Sequence, residues 1–251
     1  GILAVSPWHI MLSRAAFEAN VATFFIVLGI FLFFYSLRTK PILLPLAVIS
    51  LVSAMYTFNS SRIVVPILGL FLVCAFYKKL LKHIKISLFS FILGIVIVLP
   101  VLLFMTSSQA KLRFNEVNIF TDIGIIDRTN QEIKNDNNSS FSKIIHNRRL
   151  AYGIEYVHHY LDNLAPQFLF IKGDGNPKFS IQDVGQLYIW EIPFFIAGIF
   201  LLFRKKGPNW WIVPIWLLVG IIPAGFARET PHALRIESSL PTFQIVTAIG
   251  L

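Results

Sequence analysis

The sequence has 251 residues, of which 55% are hydrophobic and only 14% are charged. Since a soluble domain carries about 25% charged residues, this composition excludes an ordinary water-soluble protein. The formal net charge of +9 would suit nucleic acid. However, the basic residues sit mostly at the ends of apolar runs, as membrane topology signals do, so a nucleic-acid partner is excluded as well.

Six apolar runs have the composition and roughly the length of transmembrane helices, which need about 20 residues, although some runs are short. Helix is the expected form, because backbone groups inside a bilayer must be hydrogen-bonded within the protein. The runs cover residues 20–37, 41–57, 62–77, 86–106, 186–203 and 210–226. The predicted fold class is an all-α polytopic membrane protein with about six full crossings, partial crossings at both ends, and residues 1–251 in a single transmembrane domain.

The two ends of the sequence lie in apolar runs. Residue 1 is Gly1 rather than Met, and the run at 241–251 is too short to cross a bilayer, so we expect a fragment of a longer membrane protein. Near the N-terminus, Ser6 is a suitable N-cap and Pro7 a suitable first helical residue. They predict a short amphipathic helix at the membrane interface, with Trp8 at the level of the lipid headgroups.

Basic residues in the connections predict the orientation of the crossings. Three clusters fall on the same side of the membrane when six crossings are assumed, and Lys and Arg are enriched in cytoplasmic loops. These clusters lie at 38–40, 78–85 and 204–206. That side is therefore predicted to be cytoplasmic, in the bacterial inner membrane or an equivalent cell membrane. The extracytoplasmic side then carries residues 6–19, 59–62, 107–185 and 227–240.

Residues 107–185 form the one long polar segment and are predicted to be a large extracytoplasmic loop. Its first part, 109–147, is rich in Asn, Asp, Lys and Ser and is predicted to be mobile. Its second part, 149–164, is predicted to be an amphipathic helix. The apolar stripe of that helix consists of Leu150, Ile154, Val157, Leu161 and Leu164. A tight turn is predicted at 173–177 from the sequence Gly-Asp-Gly-Asn-Pro.

Several arginines on the predicted extracytoplasmic side run against the positive-inside bias and so need a reason. They are Arg14, Arg62, Arg228 and Arg235, with His9 and His232 beside them. One interpretation is a phosphate site, because guanidinium groups bind phosphate oxygens bidentately. The alternative is anchoring among lipid headgroups, or an ion pair of Arg14 with Glu18 or of Arg228 with Glu229 or Glu237. We expect at least one of Arg62 and Arg235 in a phosphate site.

No strong catalytic motif occurs in the sequence, which contains no Gly-rich phosphate loop, no nucleophile elbow and no metal-spaced cluster. His158 and His159 are adjacent on the predicted helix and point in different directions, so no metal site is predicted. A carboxylate near the arginines could act as a general base. The candidates are Glu18, Glu155, Asp174 and Glu229, each of which is also explained by solvation or ion pairing.

Four stretches, spread over nearly the whole chain, carry a resemblance to a known family. They are Ser6-Pro7-Trp8-His9 with Ser13-Arg14; Tyr56-Thr57-Phe58-Asn59-Ser60-Ser61-Arg62; Leu169-Phe170, Gly173-Asp174, Gly185-Gln186-Leu187-Tyr188 and Glu191-Ile192-Pro193; and His232-Ala233-Leu234-Arg235 with Leu240-Pro241. In the same order they resemble SPWH…SR, Y-x-(Y/F)-x-x-x-R, LF…GD…G-x-LY…E-x-P and H-(A/R)-x-R…P of polyprenyl-phosphate-sugar-dependent glycosyltransferases with the C-type (GT-C) fold. That group includes protein O-mannosyltransferases and lipid A aminoarabinose transferases. The shared order points to the broad family, not to a subfamily.

The resemblance implies a helical membrane enzyme, a hexosyl- or pentosyl-type glycosyltransferase, with its active site on the extracytoplasmic side. Its implied donor is a sugar on a polyprenyl phosphate, and the acceptor is left open. Taken with the arginine pattern, it assigns donor phosphate binding and further site candidates. Phosphate binding is assigned to Arg62, Arg235, Arg14 and His232, and the further candidates are His9, Glu18 and Asp174.

The family places its key acidic residue in the first outer loop, a region we expect to precede this chain. The catalytic base is therefore not assigned, and the fragment alone is expected to be inactive. No cofactor and no metal site are assigned, and dependence on a divalent metal is left open.

Two other classes of function remain open. A transporter would have polar or broken helices at mid-membrane, whereas the predicted crossings contain few charges, with Glu191 near one end. A non-catalytic protein of cell-envelope assembly would share the hydropathy but would have no converging arginines. The enzyme hypothesis instead predicts a lipid-lined groove open to the outer leaflet, with Arg62 and Arg235 near its mouth.

Overall fold

The structure is a computed structural model that describes residues 1–251 apart from the side chain of Arg113. Across the described chain the regular elements are helices, as the sequence predicts. They are α1 (Ile2–Val5), α2 (Pro7–Arg14), α3 (Glu18–Arg38), α4 (Leu44–Thr57), α5 (Ser61–Lys82), α6 (Ile84–Met105), α7 (Ser108–Val117), α8 (Ile123–Asn135), α9 (Ser140–Ile145), α10 (Arg148–Asp162), α11 (Ile192–Lys205), α12 (Ile212–Gly225) and α13 (Thr242–Gly250).

Three helices, α3, α5 and α6, are long and apolar enough to cross a membrane. Their most apolar windows have mean hydropathies of 2.1, 2.0 and 2.9, and only 11% of the α6 window is buried within the protein. Large side chains of α6 such as Phe91 and Val96 are 65% and 61% exposed. A helix that is apolar on every side and little covered by protein is suited to lipid. α4 and α12 are apolar but shorter.

The main core joins α3, α4, α5 and α12. It contains Ile26 and Ile30 of α3, Ala47 and Leu51 of α4, Val64 and Leu68 of α5, and Trp216 of α12. Small residues bring α3 and α4 together, since a Cβ on Gly29 would lie 2.6 Å from Leu51 Cγ. The hydroxyl of Ser50 donates to the carbonyl of Phe25 at 2.8 Å, so this polar group on α4 is satisfied within the core.

A second core lies at the end of the bundle that carries residues 107–185, called here the polar side. Trp8 is at its centre and is fully buried, with its ring 6.4 Å from that of Phe168 and 5.6 Å from that of Phe243. The prediction of Trp8 at headgroup level was therefore wrong. Trp8 is buried because the segment before α11 covers α2. The carbonyl of Gln186 in that segment accepts the backbone N–H of Trp8 at 3.2 Å. The predicted helix start at Ser6 and Pro7 is confirmed.

The prediction of a mobile loop at 109–147 was also wrong, because the structure forms α7, α8 and α9 there. Each helix begins at a short polar side chain that accepts a backbone N–H, which is the standard way to satisfy a helix N-terminus. The caps are Ser107, Asp122 and Ser139, and Asn147 caps α10 in the same way. The Asn, Asp and Ser content that suggested disorder supplies these caps.

α11 and α13 are in close contact through glycines. A Cβ on Gly198 of α11 would overlap the carbonyl oxygen of Val246, and a Cβ on Gly250 of α13 would overlap that of Phe194. The two backbones therefore touch directly, as small residues allow between apolar helices. Since α13 also carries Phe243 into the second core, this contact holds that core against α11.

Replacement of Gly198 by Ala is expected to destabilise the protein by about 1–3 kcal/mol, because the added methyl group must displace the backbone of α13. The measurement is thermal unfolding of the detergent-solubilised protein. Gly69→Ala is the matched control, since a Cβ on this α5 glycine meets nothing within 4 Å. Equal unfolding temperatures for Gly198→Ala and the wild type would contradict the direct contact.

Candidate functional site

The chain after α12 folds back along that helix instead of staying above it. The indole N–H of Trp216 donates to the carbonyl of Ser238 at 2.8 Å, and a Cβ on Gly220 would lie 2.6 Å from Ser239 Cα. On the other side, the hydroxyl of Thr23 donates to the carbonyl of Glu237 at 3.2 Å. Residues 227–240, called here the returning segment, thus lie between α3 and α12. This arrangement places two predicted site residues, His232 and Arg235, at the polar side of the bundle.

The predicted turn at 173–177 forms, and it positions Asp174. Gly173 adopts φ +71°, in the left-handed region that glycine tolerates, and Asp174 is 4% exposed. The Oδ1 atom of Asp174 accepts the N–H of Asn176 at 2.8 Å, and Oδ2 accepts the N–H of Ala233 at 2.7 Å. One carboxylate therefore closes its own turn and holds the returning segment.

His232 lies next to this carboxylate, with its Nδ1 atom 3.9 Å from Asp174 Oδ2. Its ring packs on Phe179 at 4.9 Å between centroids, and its backbone N–H donates to Asn163 Oδ1 at 2.9 Å. Arg235 is one turn further along the returning segment, and its positive charge acts on His232. The structure thus brings together three residues that the sequence analysis selected from two distant stretches.

The charge states of this pair follow from burial. Burial raises the pKa of Asp174, the N–H groups of Asn176 and Ala233 oppose that effect, and the charge of Glu229 adds to it. Burial, together with the charge of Arg235, lowers the pKa of His232 to about 4. His232 is therefore neutral at pH 7, and its 3.9 Å contact with Asp174 is a polar contact rather than an ion pair at that pH.

α10 and its C-cap contribute two polar residues, His159 and Asn163, that the sequence analysis did not select as site residues. The amide of Asn163 is completely buried and donates to the carbonyl of His159 at 2.8 Å while accepting from His232 N. The Nδ1 atom of His159 contacts the carbonyl of Ala227 at 2.7 Å, and its Nε2 atom lies 3.4 Å from Glu155 Oε1. The only sequence signal was their position on the polar face of the amphipathic helix.

Glu237 is a second residue that the sequence analysis missed as a site residue. Its side chain is 0% exposed, and among the described residues neither carboxylate oxygen has a hydrogen-bond partner. Burial raises the pKa of Glu237 to about 8. With this pKa, most of the molecules carry a protonated Glu237 at pH 7. The group can exchange a proton at pH values close to neutrality.

An apolar groove lies between α10 and α12. Its volume is about 310 Å³, and Tyr160 donates its hydroxyl hydrogen to the carbonyl of Leu218 at 2.8 Å across it. The lining residues are Tyr156, Val157, Tyr160, Leu218, Val219 and Ile222. Since ligand pockets usually measure about 300–1,000 Å³, this groove is small and suits part of an apolar chain.

Arg62, another predicted site residue, has contacts on α4 and α6. Arg62 donates from Nε to the carbonyl of Met55 at 3.1 Å and lies 5.5 Å from the centroid of the Phe104 ring. It therefore lies among α4, α5 and α6 at the polar side. The gathering of Arg62 and Arg235 around one phosphate stays a prediction.

Arg14, Glu18 and His9 belong to the N-terminal helices. Arg14 ends α2 and Glu18 begins α3, with a break at Ala16 (φ 52°), so the two exposed side chains lie on different helices and not one turn apart on a single helix. No ion pair joins Arg14 and Glu18 in the described chain, in contrast to the alternative considered for them. His9 is half-buried beside Trp8, and burial lowers its pKa.

Arg228 has a structural role. It donates from Nε to the carbonyl of Asn118 at 3.0 Å and from Nη2 to the hydroxyl of Thr121 at 2.7 Å. It therefore fixes the start of the returning segment to the chain between α7 and α8. In the described part of the chain no group of three His, Cys, Asp or Glu side chains has the arrangement needed to hold a metal ion.

Compared with protein-family models, with curated proteins and with solved structures, the chain has no match. The residues of the chain itself are therefore the basis for assigning a function.

His232 is expected to make stability depend on pH. Its pKa of about 4 in the folded protein lies below the unfolded value of 6.5, so the unfolded state binds more protons between these values. The stability is complete above pH 6.5 and falls with pH toward 4, by about 2 kcal/mol between pH 7.5 and pH 5. The raised pKa of Asp174 has the opposite effect. At pH values just above 3.8, its unfolded value, the folded state binds more protons, so stability rises as the pH falls.

The measurement is thermal unfolding at pH 7.5 and pH 5 for the wild type and for His232→Gln, in which the difference between the two pH values should shrink. His83→Gln, at an exposed histidine between α5 and α6, is the control and should keep the wild-type difference. An unchanged pH dependence in His232→Gln would show that His232 is not buried in its neutral form.

Proposed function

We propose that this chain forms part of a glycosyltransferase that moves a sugar from a polyprenyl-phosphate carrier to an acceptor on the extracytoplasmic side of the membrane. The observation that carries the proposal is that α10 serves two surfaces: it lines the apolar groove through Tyr156 and Tyr160, and its C-cap residue Asn163 accepts the N–H of His232 in the buried polar cluster. A lipid carrier needs both surfaces, one for its apolar chain and one for its charged head. The family resemblance of the sequence supports the same reading.

The proposed membrane arrangement has six crossings, in which α4, α11 and α12 join the three long helices. The basic clusters at 38–40, 78–85 and 204–206 then lie on the cytoplasmic side. The groove opens toward the extracytoplasmic leaflet. The short helices are accommodated if the bilayer thins locally or if flanking residues reach the interface. A carrier with its chain in that leaflet would reach the groove from the side.

In the proposed reaction the acceptor hydroxyl or amine attacks the anomeric carbon of the sugar. The bond from that carbon to the phosphate oxygen breaks, and its electron pair leaves with the polyprenyl phosphate. Arg235, with Arg62 and Arg14, would bind the phosphate and stabilise the charge that develops on it. The proton of the acceptor passes to a base, which we propose to be an acidic residue outside this chain.

His232 and Asp174 have positioning roles in this proposal. A neutral His232 adds no second positive charge beside Arg235 at pH 7 and can donate a hydrogen bond to a phosphate oxygen. Asp174 already accepts two backbone N–H groups, so we assign it to holding the returning segment and not to accepting the proton.

Arg62→Ala and Arg235→Ala are each expected to lower kcat/KM for transfer from a polyprenyl-phosphate sugar by about 100-fold, because each removes a charged donor to the leaving phosphate. The assay uses the full-length protein in liposomes. Arg204→Ala is the matched control, an exposed arginine at the cytoplasmic end of α11 in the proposed topology, and should keep wild-type activity. Thermal unfolding identifies any variant that has simply misfolded. Full activity in both folded variants would rule out the proposed phosphate site.

The groove has a separate test. Leu218→Trp fills it and should raise KM for a long polyprenyl carrier more than for a short-chain carrier, because only the long chain needs the groove. Ile196→Trp, at a 62% exposed position of α11 outside the groove, is the control and should leave both KM values unchanged. Equal changes in KM for the two carriers would show that the long carrier chain does not bind in the groove.

A further inference from the structure

α10 is an amphipathic helix whose polar face is buried and whose apolar face is exposed. A helix at the surface of a soluble protein has the reverse orientation. The face turned into the protein carries His159 and Asn163, which are 7% and 0% exposed. Four of the five residues of the apolar stripe predicted from the sequence are turned outward and share one side of the helix, whereas Leu164, just beyond the end of α10, packs against the second core. Leu150, Ile154, Val157 and Leu161 are 48%, 61%, 53% and 56% exposed. A continuous apolar face of this kind requires a cover other than water.

The contacts of α10 place it alongside α12, and not beyond the end of that helix. The Tyr160 hydroxyl donates to the carbonyl of Leu218, and Tyr156 packs on Phe226 with 4.6 Å between ring centroids. A Cβ on Gly225 would lie 2.6 Å from the Tyr156 ring. Leu218 lies two turns before Gly225, about 10 Å along α12 at about 1.5 Å per residue. α10 therefore lies at the depth of the last turns of α12.

The stripe is continuous with the surface of α12. Val157 belongs to the stripe and also lines the groove with residues of α12. At the N-terminal end of α10, Arg148 and Arg149 are exposed. An apolar stripe with arginines beside it is the pattern of helices that lie in a membrane interface, with the cations among anionic headgroups.

We propose that α10 lies in the lipid leaflet on the polar side of the bundle, with its stripe among the acyl chains and with Arg148 and Arg149 among anionic headgroups. The occupant of the stripe is thus lipid, not a second copy of the chain and not another protein. This inference requires only that the apolar helices cross a membrane. It holds whether or not the protein transfers sugars.

The test measures where a spin label on the stripe is located. The full-length protein with Cys74→Ser receives one cysteine, at Ile154, and is labelled and placed in vesicles of phosphatidylethanolamine and phosphatidylglycerol. Relaxation of the label by oxygen, which concentrates in lipid, is compared with relaxation by a water-soluble nickel complex. Val96→Cys on α6, 61% exposed, is the lipid reference, and Gln131→Cys on α8, also exposed, is the aqueous reference.

We expect the ratio of oxygen to nickel relaxation at Ile154→Cys to be closer to that of Val96→Cys than to that of Gln131→Cys. A ratio like that of Gln131→Cys would mean that the stripe faces water and would overturn the proposal. Shielding from both reagents would mean that protein covers the stripe, and would overturn it equally. Leu161→Cys, on the same stripe, repeats the measurement in case the first variant unfolds.

Discussion

The polar side of the molecule depends on satisfying the backbone of residues 227–240 within an apolar bundle. This segment is mostly non-helical, and a buried N–H or carbonyl without a partner costs about as much as a lost hydrogen bond. Its partners come from distant parts of the chain, since Thr23 and Trp216 donate to Glu237 and Ser238, and Asp174 accepts from Ala233. Each donor or acceptor therefore ties a different element to the same segment.

Hydrogen bonds from α10 and its C-cap connect the groove to the polar cluster. Asn163 and His159 hold the returning segment from one face of α10, while Tyr156 and Tyr160 form the groove from the adjoining face. A displacement of α10 would alter both surfaces together. A ligand with an apolar chain and an anionic head would consequently meet two surfaces whose relative position is set by a single helix.

Much of the architecture was predictable from local pattern. The apolar runs became helices, the Gly-Asp-Gly-Asn-Pro turn formed around Asp174, and the helix start at Ser6 and Pro7 is where the residues predict it. The errors arose where one local pattern has two meanings. Asn, Asp and Ser mark flexible loops and helix caps alike, so α7 to α9 were missed, and Trp suits both an interface and a core, so Trp8 was misplaced.

The sequence by itself determined the helical class, the apolar helices and the stripe of α10, because hydrophobic period and run length depend only on neighbouring residues. Only the tertiary structure decided which polar residues meet. Asp174 and His232 are joined because two remote segments fold against one another, and the carboxyl of Glu237 is buried because α3 and α12 enclose it. Such contacts depend on packing over long chain separations, which no local spacing encodes.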